Sequence, residues 1–236
     1  MKTSSVEDAL SAIESGEMVV VVDDVGRENE GDLIMAADCA TPEALAFMIR
    51  YTSGVVCVSL LPSRLEALQL PLMVANNAES QSTAFTITTD YRFGTSTGIS
   101  AADRAATLRA LADPKVDATA FVRPGHIFPL RARSGGVFER RGHTEAALDL
   151  ARLAGRQPAG VLCELVNDDG TMMRPPELEI FAERHKMCLI SVEQLVAYRR
   201  RIDATRESAA ADSVVPRARG GFVNWLARGL HGPEPI

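Results

Sequence analysis

Two kinds of apolar pattern alternate along the chain. Short apolar runs with the length of buried strands occupy residues 18–22, 33–37, 55–60, 84–89 and 161–166. Between them, apolar residues at helical spacing follow N-terminal capping signals, in segments that begin near Ser5, Thr41, Ser100, Thr144, Pro175 and Ser191. Strands that alternate with helices are typical of a layered domain. The pattern predicts an α/β (α+β) fold, a single three-layer domain whose mixed β-sheet is covered by helices; it leaves the strand order open.

The pattern changes near Ile202, where Ala, Ser, Arg, Gly and Pro become frequent. Such a composition is typical of a tail rather than of a packed layer. We therefore predict one folded domain at residues 1–204 and a C-terminal tail at residues 205–236, with a short amphipathic piece at residues 222–230.

Composition excludes several classes of partner. The 236 residues carry a formal net charge of -6 and a pI near 5.3, so there is no surplus of cations to neutralise nucleic acid or an anionic membrane. The four cysteines are widely spaced, without the pattern of a zinc site. The longest apolar run is too short to span a bilayer, and the polar N-terminus lacks a signal-peptide core. We expect a cytoplasmic protein that binds neither nucleic acid nor membrane.

One segment is unusually acidic. Five carboxylates fall within ten positions, at Asp23, Asp24, Glu28, Glu30 and Asp32. Oxygen ligands suit a hard divalent cation, although magnesium typically takes only one or two protein carboxylates. The spacing does not match an EF-hand loop, and a solvated acidic turn explains the same charges. Spacing alone leaves both interpretations open.

A second segment, residues 140–145, brings two adjacent arginines, a glycine, His143 and Thr144 to the start of a predicted helix. Guanidinium groups together with free amides at a helix N-terminus make a phosphate-binding site. An exposed basic turn with a capping threonine explains the residues equally well, and His143 alone also suits a surface position.

Three further features can carry chemistry. Residues 94–98 place small hydroxyls between glycines, either to bind a phosphate or sugar or to form a flexible capped loop. His126 follows an Arg-Pro-Gly sequence and suits general acid–base catalysis. Glu164 interrupts the apolar run 161–166, where a carboxylate must be paired, metal-bound or raised in pKa unless it faces solvent.

Seven segments in this order resemble 3,4-dihydroxy-2-butanone 4-phosphate synthases over residues 3–202: DDVGRENEGDL, TSGVVCVSL, STAFTITTD, TSTGISAADRAATLRAL, RPGHIFPLRA, RRGHTEAALDLARLAG and VLCELVNDDGTM. The resemblance implies a lyase of riboflavin biosynthesis that converts D-ribulose 5-phosphate into L-3,4-dihydroxy-2-butanone 4-phosphate and formate with Mg²⁺. It also implies a homodimer with sites near the subunit interface. One alternative is another metal-dependent enzyme that acts on a sugar phosphate, such as an isomerase or aldolase. A second is a divalent-cation or phosphosugar sensor that keeps the fold without turnover.

The resemblance further implies roles for single residues. Glu28 and His143 would ligate the metal, and the imidazole ligand makes Mn²⁺ a suitable substitute. Substrate contacts are implied for Arg27, Glu28, Asp32, Arg140, Arg141, Gly142, His143, Thr144 and Glu164, with Arg140 and Thr144 near the phosphate. His126, Glu164 and Asp32 would transfer protons. Glu30 receives no role.

Overall fold

The computed structural model describes the backbone of residues 2–214 and the side chains of residues 2–205. The helices are α1 (Val6–Glu14), α2 (Pro42–Tyr51), α3 (Pro62–Ala67), α4 (Ala101–Ala112), α5 (His143–Leu153), α6 (Pro175–His185) and α7 (Val192–Val214). The strands are β1 (Val19–Val22), β2 (Gly31–Ala36), β3 (Cys57–Leu60), β4 (Thr89–Tyr91), β5 (Phe121–Arg131), β6 (Ala159–Glu164) and β7 (Leu189–Ser191).

The strands of the described chain form one sheet in the order β4-β5-β3-β6-β2-β1-β7. Strand β1 is parallel to β7 and β3 is parallel to β5, while the other neighbouring pairs are antiparallel. The sheet is therefore mixed, as the sequence predicted.

Helices cover both faces of this sheet, which explains why its central strands are apolar at consecutive positions. On β1, Val20 and Val22 pack into a core shared with α2, α4 and α6, whereas Val19 and Val21 pack into a second core shared with α1 and α5. Successive side chains of a strand point to opposite faces, so a strand buried on both sides needs apolar residues throughout. The predicted three-layer α/β fold is confirmed.

Helix α5 lies unusually close to β6. A Cβ atom on Gly160 would collide with the carbonyl group of Ala147, so only glycine permits this approach. The contact fixes α5 against the sheet and brings its first residue, His143, into the cleft beside the end of β6.

One predicted strand is mostly absent. Residues 84–88 form only isolated bridges, and the regular strand begins at Thr89. The amide groups of Thr86 and Ile87 donate to the carbonyl oxygens of Pro129 and Pro71. Because proline has no N–H to donate in return, the ladder cannot continue through these positions.

The sheet and its covering helices belong to a compact unit of residues 1–199, and a second unit comprises residues 200–236. Helix α7 extends to Val214, beyond the predicted end of the last helix. The domain boundary at residue 204 stays a prediction, and the amphipathic piece at 222–230 lies outside the described residues. Among the helices that the structure describes, none combines the length and apolar character needed to cross a membrane.

Candidate active site

Three carboxylates lie where strands end on one side of the sheet, and two of them, Asp32 and Glu164, are predicted site residues. Asp23 follows β1, Asp32 is the second residue of β2, and Glu164 is the last residue of β6. Asp32 and Glu164 are direct partners in the antiparallel register of β2 and β6. The fold thus brings together two carboxylates that are more than a hundred positions apart in the sequence.

The acidic loop between β1 and β2 is organised by Asp23. One oxygen of its buried carboxylate accepts from the amide of Glu30 at 3.0 Å, and the other accepts from the amide of Glu28 at 3.2 Å and from the Arg27 guanidinium at 2.8 Å. Within the loop, Asn29 adopts a left-handed conformation with φ of 55°. Asp23 therefore holds the loop in shape, a role that the sequence analysis did not assign.

Arg174, the residue before α6, fastens the same loop from outside. Its guanidinium donates to the carbonyl oxygens of Glu28 at 2.6 Å and Asn29 at 3.0 Å, and it lies 3.4 Å from the carboxylate of Glu30. Glu30 is thereby accounted for as a partner of Arg174. Asp23 thus holds the backbone amide of Glu28 and Arg174 holds its carbonyl oxygen, so the backbone is fixed on both sides of this residue.

Glu28 and His143 meet at the centre of the site. His143 Nδ1 lies 3.6 Å from Glu28 Oε2 and 3.5 Å from Asp32 Oδ1, and Arg27 donates to Glu28 Oε2 at 2.7 Å. His143 and Asp32 are almost completely buried, whereas Glu28 is partly exposed. The structure thus joins the acidic segment to the helix start predicted to bind phosphate.

The close contacts change the pKa values of these groups. The hydrogen bond from His143 lowers the pKa of Glu28 below its usual value. Burial raises the pKa of Asp32 to about 7. Burial alone would lower the pKa of His143, but the negative charge of Asp32 and the hydrogen bond with Glu28 raise it to about 9.

The geometry fits a divalent cation. Ligand atoms of Asp23, Glu28 and His143 lie within 4.8 Å of one another. Both oxygens of Asp23 accept hydrogen bonds from the loop, whereas the contacts of the Glu28 carboxylate with Arg27 and His143 involve Oε2 alone, so Glu28 and His143 are the better candidates for metal ligands. Moreover, His143 Nε2 and Asp32 Oδ1 are buried without a hydrogen-bond partner among the described residues. Buried polar atoms of this kind are costly unless a ligand satisfies them.

The start of α5 provides an anion-binding end. Gly142 is the N-cap residue, and no side chain caps the helix, so the amides of the first turn have no side-chain acceptor. Thr144, a candidate N-cap residue from the sequence, instead lies inside the first turn and lines the cavity beside His143. The uncapped turn is available to an anionic group.

The two arginines before α5 differ. Arg140 donates to the carboxylate of Glu145 at 2.7 Å, to the Thr83 hydroxyl at 2.9 Å and to the Gln81 carbonyl at 3.2 Å. Arg141 is exposed and does not line the cavity. Arg140 therefore connects the helix start to the loop of residues 79–83.

A cavity of about 220 Å³ connects these groups. It is lined by Arg27, Glu28, Asp32, Cys57, Glu79, Thr83, Phe85, Leu130, His143, Thr144, Leu162 and Glu164. A larger hollow of about 500 Å³ beside α3 has mainly aliphatic and proline walls with a single acid, Glu66, so it lacks a catalytic or metal-binding group of residues. The smaller cavity is the candidate active site.

Sequence reasoning missed half of these lining residues, namely Cys57, Glu79, Thr83, Phe85, Leu130 and Leu162. Most lie inside the segments that carry the family resemblance, which is the signal that could have identified them. Glu79 lies outside those segments. Its carboxylate accepts from the amides of Gln81 and Thr83 at 2.8 and 2.6 Å and so shapes the loop that forms one wall.

Glu164 is at the strand end and is half-buried. The Ser53 hydroxyl donates to its carboxylate at 2.7 Å, and the Ser53 amide donates to its carbonyl oxygen. The predicted need for a partner is therefore met by Ser53, and Glu164 lines the same cavity as Asp32.

His126 does not line the cavity of its own chain. It lies on β5 four residues before Leu130, which does line the cavity, so about 13 Å of strand separates the two residues. Its Nδ1 atom is 2.6 Å from a carboxylate oxygen of Asp90, and its side chain is 42% exposed.

Comparison with known proteins identifies the family of the chain. A family model described as 3,4-dihydroxy-2-butanone 4-phosphate synthase matches residues 7–198. The chain is 57% identical over 198 residues to the 3,4-dihydroxy-2-butanone 4-phosphate synthase of Agrobacterium fabrum, covering 84% of this chain and 93% of that protein. It is 56% identical over 218 residues to the Riboflavin biosynthesis protein RibBA of Salinispora arenicola, covering 92% of this chain and 52% of the relative.

Among solved structures, the fold is similar to that of a 3,4-dihydroxy-2-butanone 4-phosphate synthase in complex with two magnesium ions. The TM-score is 0.83 at 44% identity, over 85% of this chain and 98% of the other. The chain spans about half the length of the RibBA relatives that it matches. On the strength of the family match over most of its length, the chain belongs to the 3,4-dihydroxy-2-butanone 4-phosphate synthase family.

Proposed function

We propose that the protein is a lyase that converts D-ribulose 5-phosphate into L-3,4-dihydroxy-2-butanone 4-phosphate and formate in riboflavin biosynthesis, with Mg²⁺ as cofactor. The observation that carries this proposal is that two buried atoms beside the Glu28 carboxylate, His143 Nε2 and Asp32 Oδ1, have no hydrogen-bond partner among the described residues. An enzyme that removes a proton next to a ketone needs a cation and several acid–base groups at one place. The family membership supports the same reaction.

Glu28 and His143 are the proposed metal ligands. When bound, the cation supplies a Lewis acid that polarises the ketone and stabilises the negative charge that follows proton removal. The Mg²⁺ complex of the solved relative supports magnesium. One imidazole ligand also suits Mn²⁺, which we propose as a substitute.

Substrate is proposed to lie between the acidic loop and the start of α5. The uncapped amides at Gly142 and His143, together with the Thr144 hydroxyl and the Arg140 guanidinium, receive the phosphate. Arg27 and Asp32 contact the sugar chain from the opposite wall. Arg141 is exposed, so its contact with the phosphate requires the substrate to extend out of the cavity.

Proton transfer is assigned to Asp32, Glu164 and His126. Asp32 and Glu164 are neighbours across the strand pair and line the same cavity, so two acid–base groups face one substrate. Removal of the C1 hydroxyl as water needs an acid, which one of these groups supplies. The later shift of the carbon skeleton and loss of formate need fixed geometry and exclusion of water, which the enclosing loop of residues 79–83 favours.

His126 requires a second copy of the chain. Because His126 does not line the cavity of its own chain, we propose that a homodimer brings His126 of one subunit to the site of the other. Exposed apolar side chains on the segments around His126, at Val55, Phe93, Ile99 and Val122, support a subunit contact there. We also propose that the protein is located in the cytoplasm.

Formate release tests the function. Purified protein is incubated with D-ribulose 5-phosphate in Mg²⁺, in Mn²⁺ and in excess chelator, and formate is measured with formate dehydrogenase. The proposal expects formate with either metal and none with chelator. A pentose isomer or a C3–C4 cleavage product without formate would indicate an isomerase or aldolase, and binding without any product would indicate a sensor.

A further inference from the structure

Ser53 contacts Glu164 through both its side chain and its backbone. The Ser53 hydroxyl lies 2.7 Å from Glu164 Oε2, and the Ser53 amide donates to the Glu164 carbonyl oxygen at 2.8 Å. Glu164 lines the cavity of the candidate active site, whereas Ser53 does not. Ser53 can therefore influence the cavity through the position of the Glu164 carboxylate.

The backbone before and at Ser53 is paired with the chain that follows β6. Thr52 forms an antiparallel bridge with Leu165, and the Val166 amide donates to the Tyr51 carbonyl oxygen at 3.1 Å. The antiparallel pairing of β6 thus continues beyond its last regular residue. Because the two backbones are paired, the Ser53 side chain is held beside the end of the strand.

The turn that contains Ser53 is anchored from two helices. The almost fully buried Arg104 of α4 donates to the Gly54 carbonyl oxygen at 3.1 Å, and the Thr52 hydroxyl donates to the Met48 carbonyl oxygen of α2 at 2.6 Å. Gly54 has a φ of 76°, a conformation that favours glycine. None of these contacts uses the Ser53 hydroxyl, so the turn keeps them when that hydroxyl is removed.

The neighbouring groups determine where the hydroxyl proton of Ser53 lies. The Val55 amide donates to Ser53 Oγ at 3.3 Å, so the hydroxyl already accepts one hydrogen bond. Its single proton has two acceptors within reach, Glu164 Oε2 at 2.7 Å and Cys163 Sγ at 3.6 Å. Sulfur accepts weakly, and a carboxylate oxygen at the shorter distance is the stronger acceptor. The hydroxyl therefore donates to Glu164.

This hydrogen bond involves Oε2 alone, so Oε1 is left for the substrate. We propose that Ser53 is a positioning residue for the reaction, whose hydroxyl holds Oε2 and thereby directs Oε1 of Glu164 to the substrate. Oε1 takes a proton from the substrate and later returns it to the reacting molecule, while Ser53 keeps its own proton throughout. This inference rests on the proposed lyase function, in which Glu164 transfers protons.

Ser53→Ala is the informative substitution. It removes the donor that holds the carboxylate, while the paired backbone and the anchored turn keep their contacts. Misplacing a reacting group by about 1 Å can slow a reaction by about 100-fold. We expect kcat for formate release to fall by about 10- to 100-fold. KM and Mg²⁺ affinity should stay near their wild-type values, because the hydrogen bonds described for the Ser53 side chain involve none of the proposed metal ligands.

Ser53→Thr tests the hydroxyl itself. Ser53 is exposed in the chain, so an additional methyl group has room, and threonine keeps the O–H donor. This variant should restore most of the kcat that Ser53→Ala loses. A kcat as low as that of Ser53→Ala would show that the hydroxyl does not position Glu164.

Ser5→Ala is the matched control. The Ser5 hydroxyl also donates to a carboxylate, that of Asp8 at 2.6 Å, and Ser5 Oγ caps α1; neither residue lines the cavity. We expect Ser5→Ala to lower the melting temperature at least as much as Ser53→Ala does, with kcat preserved. If Ser53→Ala loses no more kcat than Ser5→Ala, the positioning role is wrong.

Crystal structures of the Mg²⁺-loaded wild-type and Ser53→Ala proteins locate the carboxylate without turnover. The wild-type protein is expected to show one Glu164 rotamer with Oε2 at the Ser53 hydroxyl, and Ser53→Ala a different rotamer or several. A single, unchanged rotamer in the variant would overturn the inference. Since this readout needs no substrate, wild-type protein that releases no formate would refute the lyase function separately from the contact between Ser53 and Glu164.

Discussion

Arg174 anchors the acidic loop from outside. Replacing it by alanine removes that anchor and leaves the side chain of every proposed metal ligand and acid–base group unchanged. Arg174 donates to two carbonyl oxygens, those of Glu28 and Asn29, and lies near the Glu30 carboxylate. A hydrogen bond from a charged donor contributes about 1.5–3 kcal/mol in a protein. Since the Arg174 side chain is 46% exposed, we assign about 1 kcal/mol to each bond and nothing to the exposed ion pair.

In Arg174→Ala, the free energy that stabilises the ordered conformation of the loop therefore falls by about 2 kcal/mol. A metal or substrate that binds only the ordered loop then binds more weakly, by up to roughly 30-fold. We expect Arg174→Ala to lower kcat/KM for formate release and to weaken Mg²⁺ binding measured by titration calorimetry. Arg174→Lys, which keeps one charged donor, should give an intermediate loss.

Arg156→Ala is the control for removing an arginine. Arg156 pairs with Asp38 at 3.1 Å, and neither residue lines the cavity. This variant should keep wild-type kcat/KM and Mg²⁺ affinity. An Arg174→Ala protein with the same kcat/KM and Mg²⁺ affinity as Arg156→Ala would refute the idea that Arg174 organises the site.

Three further substitutions test other parts of the account. Glu164→Gln should fold and bind Mg²⁺ but lose turnover, as measured by calorimetry and formate release; a nearly fully active variant would show that its role is misassigned. Asp23→Ala leaves the Glu28 and Glu30 amides without their acceptor, at about 1–3 kcal/mol for each buried group, so both the melting temperature and Mg²⁺ affinity should fall. Gly160→Ala forces α5 away from β6 and should destabilise the protein by about 1–3 kcal/mol in chemical unfolding, whereas an unchanged midpoint would show that the helix shifts freely.

The layered fold was predictable because the apolar runs and capping signals are local. Val19–Val22 is apolar at every position, and a strand of that kind must be buried on both faces. Strand order was not predictable, since the β2–β6 pair joins residues far apart in the sequence. The strand expected at residues 84–89 was mostly wrong because two prolines on neighbouring segments cannot donate to it.

The candidate site was predicted in parts. The acidic segment and the start of α5 were each identified, but only the fold places His143 beside Glu28 and Asp32. The structural role of Asp23 was hidden because its sequence neighbours carry the same charge. No sequence pattern relates Asp90 to His126, because their contact depends on close packing at Gly98 and Gly125. The assigned roles of the individual site residues stay predictions.

The most direct test of the central claim uses D-ribulose 5-phosphate labelled with carbon-13 at C4. Carbon-13 NMR follows the label after addition of the protein and Mg²⁺, with a Glu28→Gln protein as the comparison. The proposed reaction predicts that the label appears in formate with the wild-type protein and that Glu28→Gln, which lacks one metal ligand, releases far less. Label retained in a sugar phosphate, or formate released equally by both proteins, would contradict the account.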